Sequence, residues 1–297
     1  MAKLRNIKYQ FKHCIDMHFK EGMDKHSIKA SGKNNSKIYS FSDRKNLIDI
    51  SASFSNWLKI NHTEVKQLKD INSQHIQEFL NMKVNDCSQK TLEQYQSHFR
   101  KLEALANSTY HIEVDYHSVV TPVSCKNGGG KIRNTMLSHN DYNKLLKTTN
   151  INFRKAITLS FHYGLRAAEC SKLRFEDISE KGIKIVESKG KRSRFIPVEN
   201  KQQKEIIKDF LNKKGRVCPV QSGSLQKAFN REKKRQGIHI CNGDFHTARK
   251  TFATNKYKEY RLQGHTVQQS LNKVSHVLGH GSNRNELMKE YICCPIE

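Results

Sequence analysis

The chain has 297 residues, with 53 Lys and Arg against 28 Asp and Glu, and a formal net charge of +25. That length supports a sizeable core and favours two domains over one, and positive charge spread along the whole chain suits a long polyanion such as DNA or RNA, a ribosomal or merely soluble basic protein being the plainer reading. No apolar run approaches the roughly 18 to 20 residues of a membrane span, and the first twenty residues lack the apolar stretch of a signal peptide.

The eight cysteines form no C-x-x-C pair and have no regular spacing. A zinc ribbon or disulfide framework is therefore not expected, and reduced thiols in the cytoplasm are the default. Residues 1–40 are basic and polar and read as an N-terminal arm, flexible or partly helical. From Phe41 apolar residues recur at helical spacing: Leu47, Ile50, Phe54, Trp57 and Leu58, then Ile76, Phe79 and Leu80, then Leu92, Tyr95, Phe99, Leu102 and Leu105. Three amphipathic helices over residues 41–111 follow, the last with Ser88 as N-cap. In that third helix Lys90, Gln94, His98 and Lys101 lie off the apolar stripe, on a face that suits phosphates and solvent equally.

Residues 112–134 carry Pro122 and the run Gly128 to Gly130, break every periodicity around them and read as a linker. A second domain, 135–297, opens where Ser138 and Asp141 are spaced as a capping box. Its strand signals are confined to "GIKIVES" and "SRFIPV", joined by the basic turn "KGKR" as a hairpin. Helical patterns resume after residue 199. The expected class is mainly α with a small β-sheet.

Four stretches then occur in order: "YGLRAAECSKLRFEDI", "ESKGKRSRFIPV", "GDFHTARKTFATNKY" and "SHVLGHGSNRNELMKEYI". Together they resemble the tyrosine recombinase (phage integrase) family. The resemblance implies Arg166, Lys189, His246, Arg249, His280 and Tyr291 as catalytic residues. Glu169 would orient Arg166 from behind. The domain 41–111 looks like the family's core-binding domain, so the two domains would clamp DNA. Lys90, Gln94, His98, Lys101, Lys191 and Arg192 are the candidate DNA contacts.

The chemistry explains why such a set is useful. Two guanidinium groups can hold the non-bridging oxygens of a phosphodiester by bidentate, charge-assisted hydrogen bonds that strengthen as charge develops. His246 and Arg249, three apart on a helix capped by Asp244, share a face. A tyrosine hydroxyl, with a pKa near 10, is only about one part in a thousand phenolate at pH 7, a deficit of roughly 4 kcal/mol. Tyr291 therefore needs a positive field and a base, for which the resemblance offers His246. Lys189, with Lys191 as the alternative, would protonate the departing 5′ oxygen, and His280 would donate to the phosphate.

By the same resemblance no ATP, metal or other cofactor is needed. The partners would be double-stranded recombination sites, further copies of the chain in a tetramer, and DNA-bending or directionality factors; no membrane is involved. His276 and His280 are four apart, but "HVLGH" lacks the glutamate of H-E-x-x-H and Gly279 interrupts the helix, so a metal is not expected there. A DNA-binding relative without catalysis, and a type IB topoisomerase-like relaxing enzyme, are the alternatives. Two departures stand out: ten residues separate His280 from Tyr291, slightly more than usual in the family, and only "ICCPIE" follows the tyrosine.

Overall fold

Among the described residues up to 110, apolar spacing builds the α-helices α1 (Ile7–Met17), α2 (Phe41–Asn61), α3 (Ser73–Met82) and α4 (Gln89–Tyr110). The structure is a computed structural model that describes residues 6–21, 37–125, 135–186, 188, 193–240 and 243–296. The chain divides into two compact units, residues 1–131 and 132–297.

In the first unit Leu47, Ile50, Phe54 and Leu58 of α2 turn one face inward. Phe54 meets Phe79 and Phe99 edge to face at centroid distances of 5.2 and 5.0 Å, a geometry contributing about 0.5–1.5 kcal/mol per pair beyond burial. Residues 7–17 of the expected arm are helical, and Ile7, Phe11, Cys14 and Ile15, repeating at helical spacing, are all buried in this unit's core. Part of the expected linker also packs on this unit, since Tyr116 is fully buried and its hydroxyl donates to the Leu68 carbonyl at 2.8 Å. The glycine run of the linker lies outside the described residues.

The four candidate DNA contacts on α4 lie in different surroundings. His98 is buried beside Phe99, because the apolar stripe is wider than its largest residues suggest. Lys101 donates to Asp43 at 2.6 Å and is thereby tied to the start of α2. Lys90 and Gln94 are exposed.

The second unit opens with α5 (His139–Leu146), where Ser138 Oγ accepts the Asp141 amide at 3.0 Å and its hydroxyl donates to the Asp141 carboxylate at 2.8 Å. There follow α6 (Ile151–Tyr163), α7 (Ala167–Lys172), then three antiparallel strands in the order β1 (Ile178–Ser179), β2 (Gly182–Ile185) and β3 (Arg194–Pro197). Strands β2 and β3 are the expected hairpin, with Ile183 opposite Ile196; β1 is too short to leave a period in the sequence. Helices α8 (Lys201–Lys208), α9 (Ser222–Arg235), α10 (His246–Leu262), α11 (Val267–Val277) and α12 (Asn285–Lys289) complete the unit. Among the described residues no helix is long and apolar enough to cross a membrane.

Candidate active site

Three backbone turns of the second unit aim its charged side chains at one place. Helix α6 ends at Gly164, whose φ of 67° is left-handed and whose Cβ, if present, would lie 2.4 Å from the Phe252 ring. Glycine is required there on both counts. The turn leaves the Gly164 carbonyl facing Arg249 Nη1, which donates to it. Two residues on, Arg166 caps α7, and its amide donates to Glu169 Oε2 at 2.9 Å. The third turn is Gly279, φ 73°, which follows α11 and presents His280.

Arg249 lies one turn into α10 and is fully buried. Its Nη2 donates to the Leu278 carbonyl at 2.6 Å and to His280 Nε2 at 3.4 Å. Arg166 Nη2 reaches the same imidazole nitrogen at 2.9 Å. His280 Nε2 is thus the acceptor that joins the two guanidiniums, which requires a neutral ring. Burial, reinforced by Arg166 and Arg249, pushes the His280 pKa down to about 3, in keeping with that role. A donor role toward phosphate, implied by the family resemblance, then requires the ring to gain a proton or to present its other nitrogen.

Glu169 is the counter-ion at the centre. Arg166 Nη1 donates to its Oε1 at 2.6 Å, and Arg249 Nη1 is 3.7 Å from Oε2. Arg194 on β3, absent from the expected set, grips both oxygens at 2.8 and 2.9 Å and donates through Nε to the Val277 carbonyl at 3.0 Å. Ser188 also donates to Oε1. Burial alone would raise the Glu169 pKa, but the hydrogen bonds and charge of Arg194, with the charge of Arg249, hold it well below the carboxylate range. One carboxylate therefore balances three arginines, and the pocket stays net positive.

Tyr291 lies against this cluster within its own chain. Its ring meets His246 and His280 edge-on at 5.1 and 5.2 Å, and the Arg249 guanidinium carbon is 5.8 Å from its centroid, within cation–π range. The His246 amide donates to Asp244 Oδ1 at 2.9 Å, while the N-cap itself is Phe245, one residue after the expected Asp244. Burial, followed by the charge of Arg249, lowers the His246 pKa to about 4, so this ring too is neutral near pH 7. The longer segment between His280 and Tyr291 holds α12, pinned by fully buried Met288.

The structure thus brings together Arg166, Glu169, His246, Arg249, His280 and Tyr291. Lys189, Lys191 and Arg192 lie outside the described residues. His276 hydrogen-bonds Ser282 at 3.1 Å. Among the described residues, the side chains grouped closely enough to hold a metal ion, His62 with Glu64 and His75, and Glu103 with Asp115 and His117, belong to the first unit. His75 Nδ1 is already taken by the Asn72 amide at 3.2 Å.

This arginine, histidine and tyrosine cluster on a mainly helical unit defines a tyrosine recombinase. A family model described as the phage integrase family matches residues 135–286, and the chain belongs to that family. Among solved structures, a lambda integrase tetramer bound to a Holliday junction is similar with a TM-score of 0.62 at 19% identity, over 92% of this chain and 77% of that one. XerH site-specific recombinase bound to a palindromic difH substrate gives a TM-score of 0.61 at 13% identity, over 98% of this chain and 94% of that one. A lambda integrase dimer bound to a COC′ core site gives 0.60 at 17%, over 90% and 92%. At these identities the likeness is one of fold. No curated protein matches the chain.

Proposed function

We propose that this protein is a site-specific DNA recombinase that integrates or excises a mobile element through a 3′-phosphotyrosyl intermediate. The observation that carries the reading is the placement of the Tyr291 ring between His246 and His280, with the Arg249 guanidinium 5.8 Å from its centroid. Arg166 and Arg249 grip the non-bridging oxygens of the scissile phosphate. Arg249 Nε, buried without an acceptor among the described residues, is a donor still unused. Because Arg249 is covered, the Tyr291 ring swings aside as the phosphate arrives.

In the cleavage step Tyr291 Oη bonds to phosphorus and the bond from phosphorus to the 5′ oxygen breaks. The phenolic proton passes to neutral His246, and Lys189, or Lys191 in its stead, protonates the leaving oxygen. Such proton transfers commonly contribute about 10² to 10⁴ in rate. The phosphotyrosyl bond keeps the free energy of the broken linkage, so the 5′ hydroxyl of a partner strand reverses the step with no ATP and no metal. Two units closing on duplex DNA, four protomers on two sites and a Holliday junction between the strand exchanges complete the scheme. DNA-bending and directionality factors would choose between integration and excision.

The test is a nicked suicide duplex carrying the protein's own site, recovered by sequencing junctions from cells that express it. Wild-type protein should form an adduct that survives denaturing detergent, and Tyr291→Phe should form none. Arg166→Ala and Arg249→Ala should bind and not cleave. Binding without any adduct would leave a DNA-binding relative, and adduct with relaxation but no recombinant junctions would leave a topoisomerase-like enzyme.

A further inference from the structure

One face of α10 makes three successive attachments to the segment that carries Tyr291. His246 meets the Tyr291 ring at 5.1 Å. One turn on, Lys250, a buried residue, donates from Nζ to the carbonyl of Glu290 at 2.5 Å. Another turn on, Thr254 Oγ1 accepts the Cys293 amide at 3.0 Å while its hydroxyl donates to the Lys250 carbonyl at 2.9 Å. Residues spaced four apart stack on one side of a helix, so the three contacts run parallel to residues 290–293.

We propose that Lys250 and Thr254 are positioning residues for Tyr291: they clamp the backbone on both sides of the tyrosine while leaving its ring free to turn. This rests on the recombinase reading above. The hydrophobic anchors Met288 and Ile292 hold the segment on the core formed with Phe252, Tyr257 and Leu278. Apolar packing is non-directional, however, and does not fix how far the peptide between Glu290 and Tyr291 is rotated. Two directional hydrogen bonds from buried donors and acceptors do. An ammonium buried at this depth is costly unless it is hydrogen-bonded, and a helix interior could carry leucine there at no such cost. The arrangement matters chemically because a nucleophile displaced by about 1 Å can lose roughly 10²-fold in rate.

The experiment compares single-turnover adduct formation on a suicide duplex for wild type, Lys250→Met, Thr254→Val and Thr254→Ser, with duplex affinity measured alongside. Lys250→Met and Thr254→Val should lower the adduct rate by about tenfold or more at unchanged affinity, and amide exchange at residues 290–294 should quicken. Thr254→Ser, which keeps the hydroxyl, should stay near wild type. An unchanged adduct rate in Lys250→Met and Thr254→Val would overturn the proposal, and so would a rate loss in Thr254→Ser equal to that in Thr254→Val. As a further arm, Tyr291→Phe mixed with Arg166→Ala should form no adduct on a single site, because the clamp delivers the tyrosine to its own chain's arginines. An adduct on the Arg166→Ala chain would also refute it. If wild type itself forms no adduct, the recombinase reading has failed instead.

Discussion

Arg194 holds Glu169 by two parallel hydrogen bonds, at 2.8 Å to one carboxylate oxygen and 2.9 Å to the other. Both side chains are nearly buried, 9% and 3% exposed, so the pair sits where an unmatched charge is expensive. Arg194 shares both oxygens with Arg166 and Arg249, so the one carboxylate charge is divided among three guanidiniums.

Arg194→Ala should therefore cost about 3 kcal/mol of stability and slow adduct formation at least tenfold at saturating DNA. Arg194→Ala combined with Glu169→Gln should lose less than the sum of the two single changes, since both remove the same bidentate pair. Denaturant unfolding and adduct kinetics across the double-mutant cycle are the measurements, and strict additivity of the two changes would contradict this account.

The buried histidines set the acid response. Burial first, then the neighbouring arginines, lowers the pKa of His246 from 6.5 to about 4 and that of His280 from 6.5 to about 3. The unfolded chain binds these protons first, so stability should be level above about pH 6.5 and fall as pH drops from there toward 4. Glu169 has the same sign at lower pH, since its folded pKa is depressed as well. Its stabilisation is complete above the ordinary carboxylate pKa of 4.5 and is lost only as pH falls toward its depressed value. Urea unfolding at pH 7.5, 6 and 5 should show the decline, and His246→Gln should lessen it, His280 keeping its share.

On α4, Lys90 and Lys101 should behave differently. Lys101 is committed to Asp43 at 2.6 Å with its side chain 20% exposed, whereas Lys90 is exposed. Lys90→Ala should reduce the salt slope of DNA binding by about 0.9. Lys101→Ala should leave that slope unchanged and lower stability by about 1 kcal/mol or less. Titrations of labelled duplex between about 50 and 200 mM salt read the slope.

Gly164→Ala should be severe for a glycine on a turn. The left-handed φ of 67° penalises any Cβ, and the new methyl would meet Phe252 at 2.4 Å. A loss of about 2–3 kcal/mol is expected, read as a lowered Tm. Adduct formation should fall further than folding does, because the Gly164 carbonyl is a tether of Arg249.

Most of the site was legible because its residues fall in ordered short stretches, each on an element whose caps and turns are local. Arg194 was not, since its partner Glu169 lies 25 residues earlier and a contact between a strand and a helix start leaves no period. A signal did exist: Arg194 and Ile196 are two apart, so they share a strand face, and Ile196 is buried. An arginine on an inward face asks for a carboxylate. The burial of α1 was less legible than its helicity, because Lys8 and Lys12 fall among Ile7, Phe11, Cys14 and Ile15. His98 was misread because a small polar ring beside Phe99 can enter a core that the stripe of large apolar residues does not outline.

The burial of α1 has a practical consequence for anyone trimming this polypeptide. Phe11 stacks edge-on against Tyr116 at 6.4 Å, and the Tyr110 hydroxyl lies 3.3 Å from His13, so the opening turns of the molecule are knit to residues a hundred positions later. Shortening it from the amino end as though those turns were a dispensable tail would strip one wall from the first unit's interior and leave Tyr116 facing water.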